Sequence, residues 1–178
     1  MNKLSFSDVY LETKRLILRS FTSSDKEEFF KILQDEKIYK TLPEDHMYNE
    51  QEVSEIIDWF VATYNKNEKE HVYKIPLAIV LKETDEIIGD IGIGQLSFDE
   101  KETEIFYFIN SRYWNNGYVS EAMDSFMKYI GNINIVDKLV AAVVPGNTAS
   151  QRILLKNGFS EIDNPYNNDN RIYELRLT

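Results

Sequence analysis

Between Ile75 and Asn110 three runs follow one another, "IPLAIVLKE", "EIIGDIGIGQLSF" and "TEIFYFIN", each rich in branched and aromatic residues and separated by turn signals. Runs of this length and composition are strands, and such brief turns join them antiparallel. The period then changes. From Gly117 to Ile130 the apolar positions Val119, Ala122, Met123, Phe126, Met127 and Ile130 step by three and four, which marks one face of a helix, with Gly131 as its expected stop. "KLVAAVV" (Lys138 to Val144) reads as a buried strand. A chain that lays down a three-stranded meander, a helix and another strand must bury a sheet against helices.

The flanks fit that plan. "RLILR" (Arg15 to Arg19) is a first strand, and "TSSDKEEFFKILQ" offers capping hydroxyls, first-turn acids and the apolar Phe29, Phe30, Ile32 and Leu33 of a helix. A second helix is expected from about Glu52 to Tyr64, where Val53, Ile56, Ile57, Phe60 and Val61 share a side. After Val144, "PGNTASQRILLKNGF" supplies a turn, an Asn cap, a helix and a glycine stop at Gly158, and "RIYELRLT" closes with one or two strands. The expectation is an α/β fold: a mixed, mostly antiparallel sheet flanked by about four helices. With 178 residues and no repeat or flexible linker, residues 1–178 are expected to form a single domain.

Composition removes several function classes. The chain has no cysteine, so disulfides, thiolate metal sites and a Cys nucleophile are excluded, and the lone His46 and His71 do not make a metal site. A net charge of -10 with no basic run argues against nucleic acid and for a cationic partner. No apolar stretch approaches the roughly 20 residues that span a bilayer, and "MNKLSFSDVYLETKR" has no export signal. A cytoplasmic protein without a membrane partner is expected, as a monomer or homodimer.

Two stretches carry the chemistry. Between the strand ending near Asn110 and the helix beginning near Gly117, "RYWNNGYVSEA" makes a short turn in front of a helix N-terminus. Unpaired N–H groups and the helix dipole make such a turn an anion site, and Gly117 permits either a positive φ or a close approach. The plain alternative is that Asn116 caps an ordinary helix. The second stretch, "NTASQRILLKNGF", places Asn147 at a helix start with Ser150 one turn in, on nearly the same side.

In this order, some 30 residues apart, the two stretches resemble the GCN5-related N-acetyltransferase (GNAT) superfamily. The closer resemblance is to its branch of Rim-type (RimJ/RimL-like) ribosomal-protein N-terminal acetyltransferases. "ETKRLILR", "YWNNGYVSEA" and "NTASQRILLKNGF" carry it. It implies a GNAT-like fold and an acetyl-CoA site. The pantetheine arm would lie along Phe108, Ile109 and Asn110, with the pyrophosphate at the backbone N–H groups of Asn115, Asn116, Gly117, Tyr118, Val119 and Ser120. Asn147 would bond the pantetheine arm. Leu154 stands where the superfamily has its usual acid, a tyrosine, and Ser150 stands where the branch has a serine proposed to protonate the departing thiolate. Trp114 and Val119 depart from the superfamily's pyrophosphate motif. Phe106 replaces a common glycine, which would narrow the acceptor pocket.

Glu104 resembles the branch's strand glutamate and is the candidate base, directly or through water. The acceptor is expected to be an amine: a peptide or protein N-terminal α-amine, or a small amine. Glu44, Asp45, Glu50, Glu52 and Glu55 fall where relatives often line the acceptor side. Two alternatives stand beside this reading, an aminoglycoside-type antibiotic N-acetyltransferase and a non-catalytic acyl-CoA-binding module.

Overall fold

The computed structural model describes residues 4–42, 47–69 and 71–177. Eight strands form one sheet: β1 (Tyr10–Glu12), β2 (Leu16–Ser20), β3 (Lys74–Leu81), β4 (Glu86–Leu96), β5 (Asp99–Ile109), β6 (Lys138–Val143), β7 (Ser160–Ile162) and β8 (Arg171–Arg176). Their spatial order is β1-β2-β3-β4-β5-β6-β8-β7, and every pairing is antiparallel except that of β5 with β6. The helices are α1 (Lys26–Ile32), α2 (Glu36–Tyr39), α3 (Glu50–Thr63), α4 (Tyr118–Ile133) and α5 (Thr148–Lys156). This is the mixed, mostly antiparallel architecture that the sequence implies.

The sheet is covered on both faces. On one, Ile105 and Ile109 of β5 pack with Ala122, Met123 and Phe126 of α4 and Leu154 of α5. On the other, Phe29 and Ile32 of α1 and Val53, Ile57 and Phe60 of α3 pack over Ala78, Val80 and Ile87. Burial on both sides explains why β3 and β4 read as continuous apolar runs rather than alternating ones. Along β5 the faces separate: Ile105, Tyr107 and Ile109 join the α4 side, and Phe108 joins the α1/α3 side. Glu104 and Phe106 share the face of Phe108 by the period of two.

Three boundaries differ from the sequence expectation. Helix α4 does not stop at Gly131; it continues to Ile133 and ends on Asn134, in the left-handed region at φ +47°. Ile133, three residues after the buried Ile130, packs against the core, and that contact holds the helix past a glycine costing about 1 kcal/mol. Helix α3 begins at Glu50, because Asn49 and Glu52 form a reciprocal capping box. Strand β1 was not expected: Tyr10 and Glu12 are exposed, so no apolar alternation announces it.

Candidate active site

Strands β5 and β6 run parallel yet share one register pair, Glu104↔Val140, while β6 pairs along its whole length with β8. The two strands therefore part after Glu104. The Asn110 N–H donates to Ile88 O at 2.8 Å, so the alternation of an antiparallel ladder turns the backbone groups of Tyr107 and Ile109 toward the β6 side. They face the opening between the strands, where Ile109 O accepts the Trp114 Nε1–H at 2.9 Å. Phe108 turns its backbone to β4 and its ring to Phe29, 5.9 Å away between centroids. Asn110 Oδ1 accepts from Arg112 N at 3.0 Å and caps the short turn at 111–113. Of the three residues expected along this edge, Ile109 presents its backbone to the opening, and Tyr107 joins it.

The turn ahead of α4 has an unusual backbone. Asn115 and Gly117 both have positive φ, +63° and +75°, and Gly117 is the N-cap with no side-chain capping bond. Asn116 does not cap the helix: its Nδ2 donates to Tyr113 O and Trp114 O and closes the turn on itself. The N–H groups of Tyr118, Val119 and Ser120 stand in the first turn, where a helix offers no internal acceptor. Asn147, in contrast, caps α5 with its side chain, Oδ1 accepting from Ser150 N at 3.1 Å.

Below the turn lies a polar cluster that sequence patterns did not reveal. Glu121, in the first turn of α4, accepts from Thr13 Oγ1 (2.6 Å), Arg15 N (2.7 Å) and Arg15 Nε (2.7 Å). The Arg15 guanidinium also donates to Asn116 O at 2.9 Å and lies 4.4 Å from the centre of the Tyr118 ring. Burial would raise the Glu121 carboxyl, but the bonds from Thr13 and Arg15 outweigh it and hold the group below its ordinary pKa.

At the other side of the opening, the Tyr107 hydroxyl is 2.8 Å from Ser150 Oγ. Glu104 projects from the opposite face of β5, half-buried, beside Gly94 in the register. On the same face the Phe106 ring fills the place a side chain at Gly92 would take, and Lys74 Nζ sits 3.7 Å from its centre. Leu154 is fully buried in the core. Among the expected acceptor-side acids, Glu50 and Glu55 are exposed on α3 and Glu52 is spent in the capping box. Glu44, Asp45 and His46 lie outside the described residues.

Residues 15–160 match the family described as acetyltransferase (GNAT) domain. The chain belongs to the GNAT acetyltransferase family. It is 31% identical over 151 residues, 85% of this chain and 82% of the relative, to the uncharacterized N-acetyltransferase YoaA of Bacillus subtilis. Its fold is similar to that of ribosomal-protein-S5-alanine acetyltransferase from Vibrio fischeri, with a TM-score of 0.79 at 17% identity over 96% of this chain and 97% of that one. It is also similar to RimL, a ribosomal L7/L12 alpha-N-protein acetyltransferase solved with coenzyme A, with a TM-score of 0.78 at 15% identity over 95% and 98%.

As a GNAT member the chain is an N-acetyltransferase, and the family's acyl donor is acetyl-CoA. Two observations fit that group: the parted strands leave backbone amides at the edge of β5, and α4 starts without a side-chain cap. No helix among the described residues is long and apolar enough to cross a membrane. Tyr107 is not legible as a polar group because "IFYFI" reads as packing; its signal is its position two residues before the strand's end, on the face it shares with Ile105 and Ile109. Thr13 and Arg15 lie within "ETKRLILR", but nothing in the pattern ties them to Glu121, more than 100 residues on.

Proposed function

We propose that this GNAT enzyme acetylates an amine of lowered pKa, foremost the α-amine of a peptide or protein N-terminus, in the manner of the Rim-type branch, and that residues 1–178 form one such domain. The backbone N–H groups from Asn115 to Ser120 would hold the pyrophosphate, and the β5 edge at Ile109, extended to Tyr107, would hold the pantetheine arm together with Asn147. Acetyl-CoA supplies an activated thioester. The protein's own part is to place the amine in line, remove its proton and stabilise the departing sulfur. Glu104 serves as base from one face of β5, and Ser150 attends the sulfur from the other.

The observation that carries the acceptor choice is that Glu104, the candidate base, is a half-buried carboxylate on the β5 face it shares with Phe106 and Phe108. Deprotonating a lysine-like amine at pH 7 costs about 4.6 kcal/mol, whereas an α-amine costs about 1 kcal/mol. A single half-buried glutamate matches the smaller demand. The acidic surface, including the exposed Glu55 beside Tyr48, Ile56 and Trp59 in a shallow depression, suits a cationic acceptor.

Incubation with acetyl-CoA and a panel of peptides with free N-termini, the same peptides blocked but bearing lysine, and aminoglycosides tests this. Mass spectrometry should find acetyl groups on free N-termini. Modification of aminoglycosides alone would replace the reading with the antibiotic one, and a folded chain that binds acetyl-CoA but transfers to nothing would favour the binding module.

A further inference from the structure

We propose that Tyr107 is a positioning residue: its phenol donates to Ser150 Oγ from the core side and so turns the Ser150 O–H toward the opening between β5 and β6. The inference rests on the cofactor reading above and deepens it.

Ser150 is held at three atoms. Its N–H donates to Asn147 Oδ1 at 3.1 Å, its carbonyl accepts from the Tyr107 hydroxyl at 3.3 Å, and its Oγ lies closer to the same hydroxyl, at 2.8 Å, so the phenol proton can be shared between the two acceptors. A serine near a helix start ordinarily satisfies its hydroxyl on nearby backbone. Here a side chain from β5 reaches Oγ at 2.8 Å, where either oxygen can donate; with Tyr107 as the donor, the assignment proposed here, the serine's own proton is left to be given elsewhere. The donor is fixed in place, because the Tyr107 ring packs against the main core, while the backbone of the same residue faces the opening.

The chemistry assigns the roles in this order. Burial pushes the Tyr107 phenol up to about 12, outweighing the Ser150 contact, which acts in the other direction. A phenol so weakly acidic stays a hydrogen-bond donor throughout neutral pH and does not surrender its proton to a thiolate of ordinary pKa near ~8.5. In the overall exchange the carbon–sulfur bond breaks as the carbon–nitrogen bond forms, the electron pair goes to sulfur, and the proton lost by the amine is the one that finally neutralises it. Ser150 and Tyr107 end as they began; they lend a directed hydrogen bond to the developing charge. This accounts for Leu154 at the position of the family's usual tyrosine: a tyrosine is supplied from the strand instead of the helix and acts through the serine.

The test needs no acceptor. The thiol of bound CoA is titrated by the ultraviolet absorbance of its thiolate in wild type, Tyr107→Phe, Ser150→Ala and Ser150→Thr, and the affinity of desulfo-CoA is measured in each. Wild type should ionise the thiol below the pH at which free CoA ionises. Tyr107→Phe and Ser150→Ala should each weaken that ionisation about tenfold, the size of one directed hydrogen bond, with desulfo-CoA affinity unchanged. Ser150→Thr, which keeps the hydroxyl, should titrate as wild type, and should lose that behaviour when combined with Tyr107→Phe. If Tyr107→Phe titrates as wild type while Ser150→Ala does not, Tyr107 only packs and the inference fails alone. If neither form of CoA binds to the folded wild type, the cofactor reading fails, and the inference falls with it.

Discussion

Arg15 Nε lies 2.7 Å from Glu121 Oε2, and the same guanidinium reaches Asn116 O at 2.9 Å. One arginine just before β2 thus grips both the carboxylate in the first turn of α4 and the carbonyl of the turn before it. The pairing has an electrostatic consequence. A carboxylate so near a helix N-terminus competes with any anion bound there; Arg15 cancels its charge while holding the backbone of the turn in place.

Arg15→Met should therefore weaken CoA binding by leaving Glu121 unpaired beside the proposed pyrophosphate site. Glu121→Gln on top of Arg15→Met should recover part of the loss, since the offending charge is gone. Calorimetric titration with CoA reads this, and equal losses in the single and double variants would show that the arginine acts by shaping the turn alone. Stability should fall too, by roughly 1.5–3 kcal/mol for Glu121→Ala, which removes an ionised acceptor of three hydrogen bonds.

The same carboxylate sets a pH dependence. Its folded pKa is held below the ordinary carboxyl value of 4.5, so its contribution to stability is complete above that pH and is lost as pH falls through the lower folded value. Asp25 acts in the same direction: burial raises it, but the bonds from Arg19 and Thr22 hold it below 3.8. Urea unfolding from about pH 7 to about pH 3 should show stability declining on the acid side. Glu121→Gln should flatten the upper part of that decline, and an unchanged acid limb would mean the cluster is not formed in solution.

Gly117 is the third point of leverage. Its φ of +75° is reached by a side-chain-bearing residue at a cost of about 1–2 kcal/mol, and a Cβ there would stand 3.6 Å from Arg15 Nη2. Gly117→Ala should lower stability by about that amount. Gly117→Asp adds a negative charge at the mouth of the turn and should lower CoA affinity well beyond the alanine variant. Equal CoA affinities for the two folded variants would refute the phosphate-turn reading.

What the sequence revealed follows from what side-chain pattern encodes. The meander, the three long helices and the Asn147 cap were legible because each leaves a local signature: branched runs, three-four spacing, a capping residue before a helix. The end of α4 lies beyond Gly131 because Ile133 packs against the core, a tertiary contact that outweighs the local preference at the glycine. The Thr13–Arg15–Glu121 cluster and the Tyr107–Ser150 pair were not legible, since each joins residues from distant strands and helices that meet only once the sheet is assembled. Phe106 was recognised as bulky, but that its ring lies across Gly92, with Lys74 above it, depends on the β3–β4–β5 register.

Leu154 offers the sharpest contrast between alignment and environment. By position in α5 it replaces the tyrosine that serves as acid across much of the superfamily, and restoring that residue looks like a repair. Yet Leu154 is fully buried in the main core, in the same cluster as Ile109, Met123 and Phe159, so a ring and hydroxyl placed there would have to displace packed side chains. Leu154→Tyr should overpack the core and cost about 1–3 kcal/mol, lowering the melting temperature without increasing turnover on whichever amine the acceptor panel identifies. Leu154→Met, which conserves volume, should cost less than about 1.5 kcal/mol and leave turnover near wild type. A gain in rate for Leu154→Tyr would show that the acid is missing rather than relocated, and would overturn the assignment of its role to Ser150.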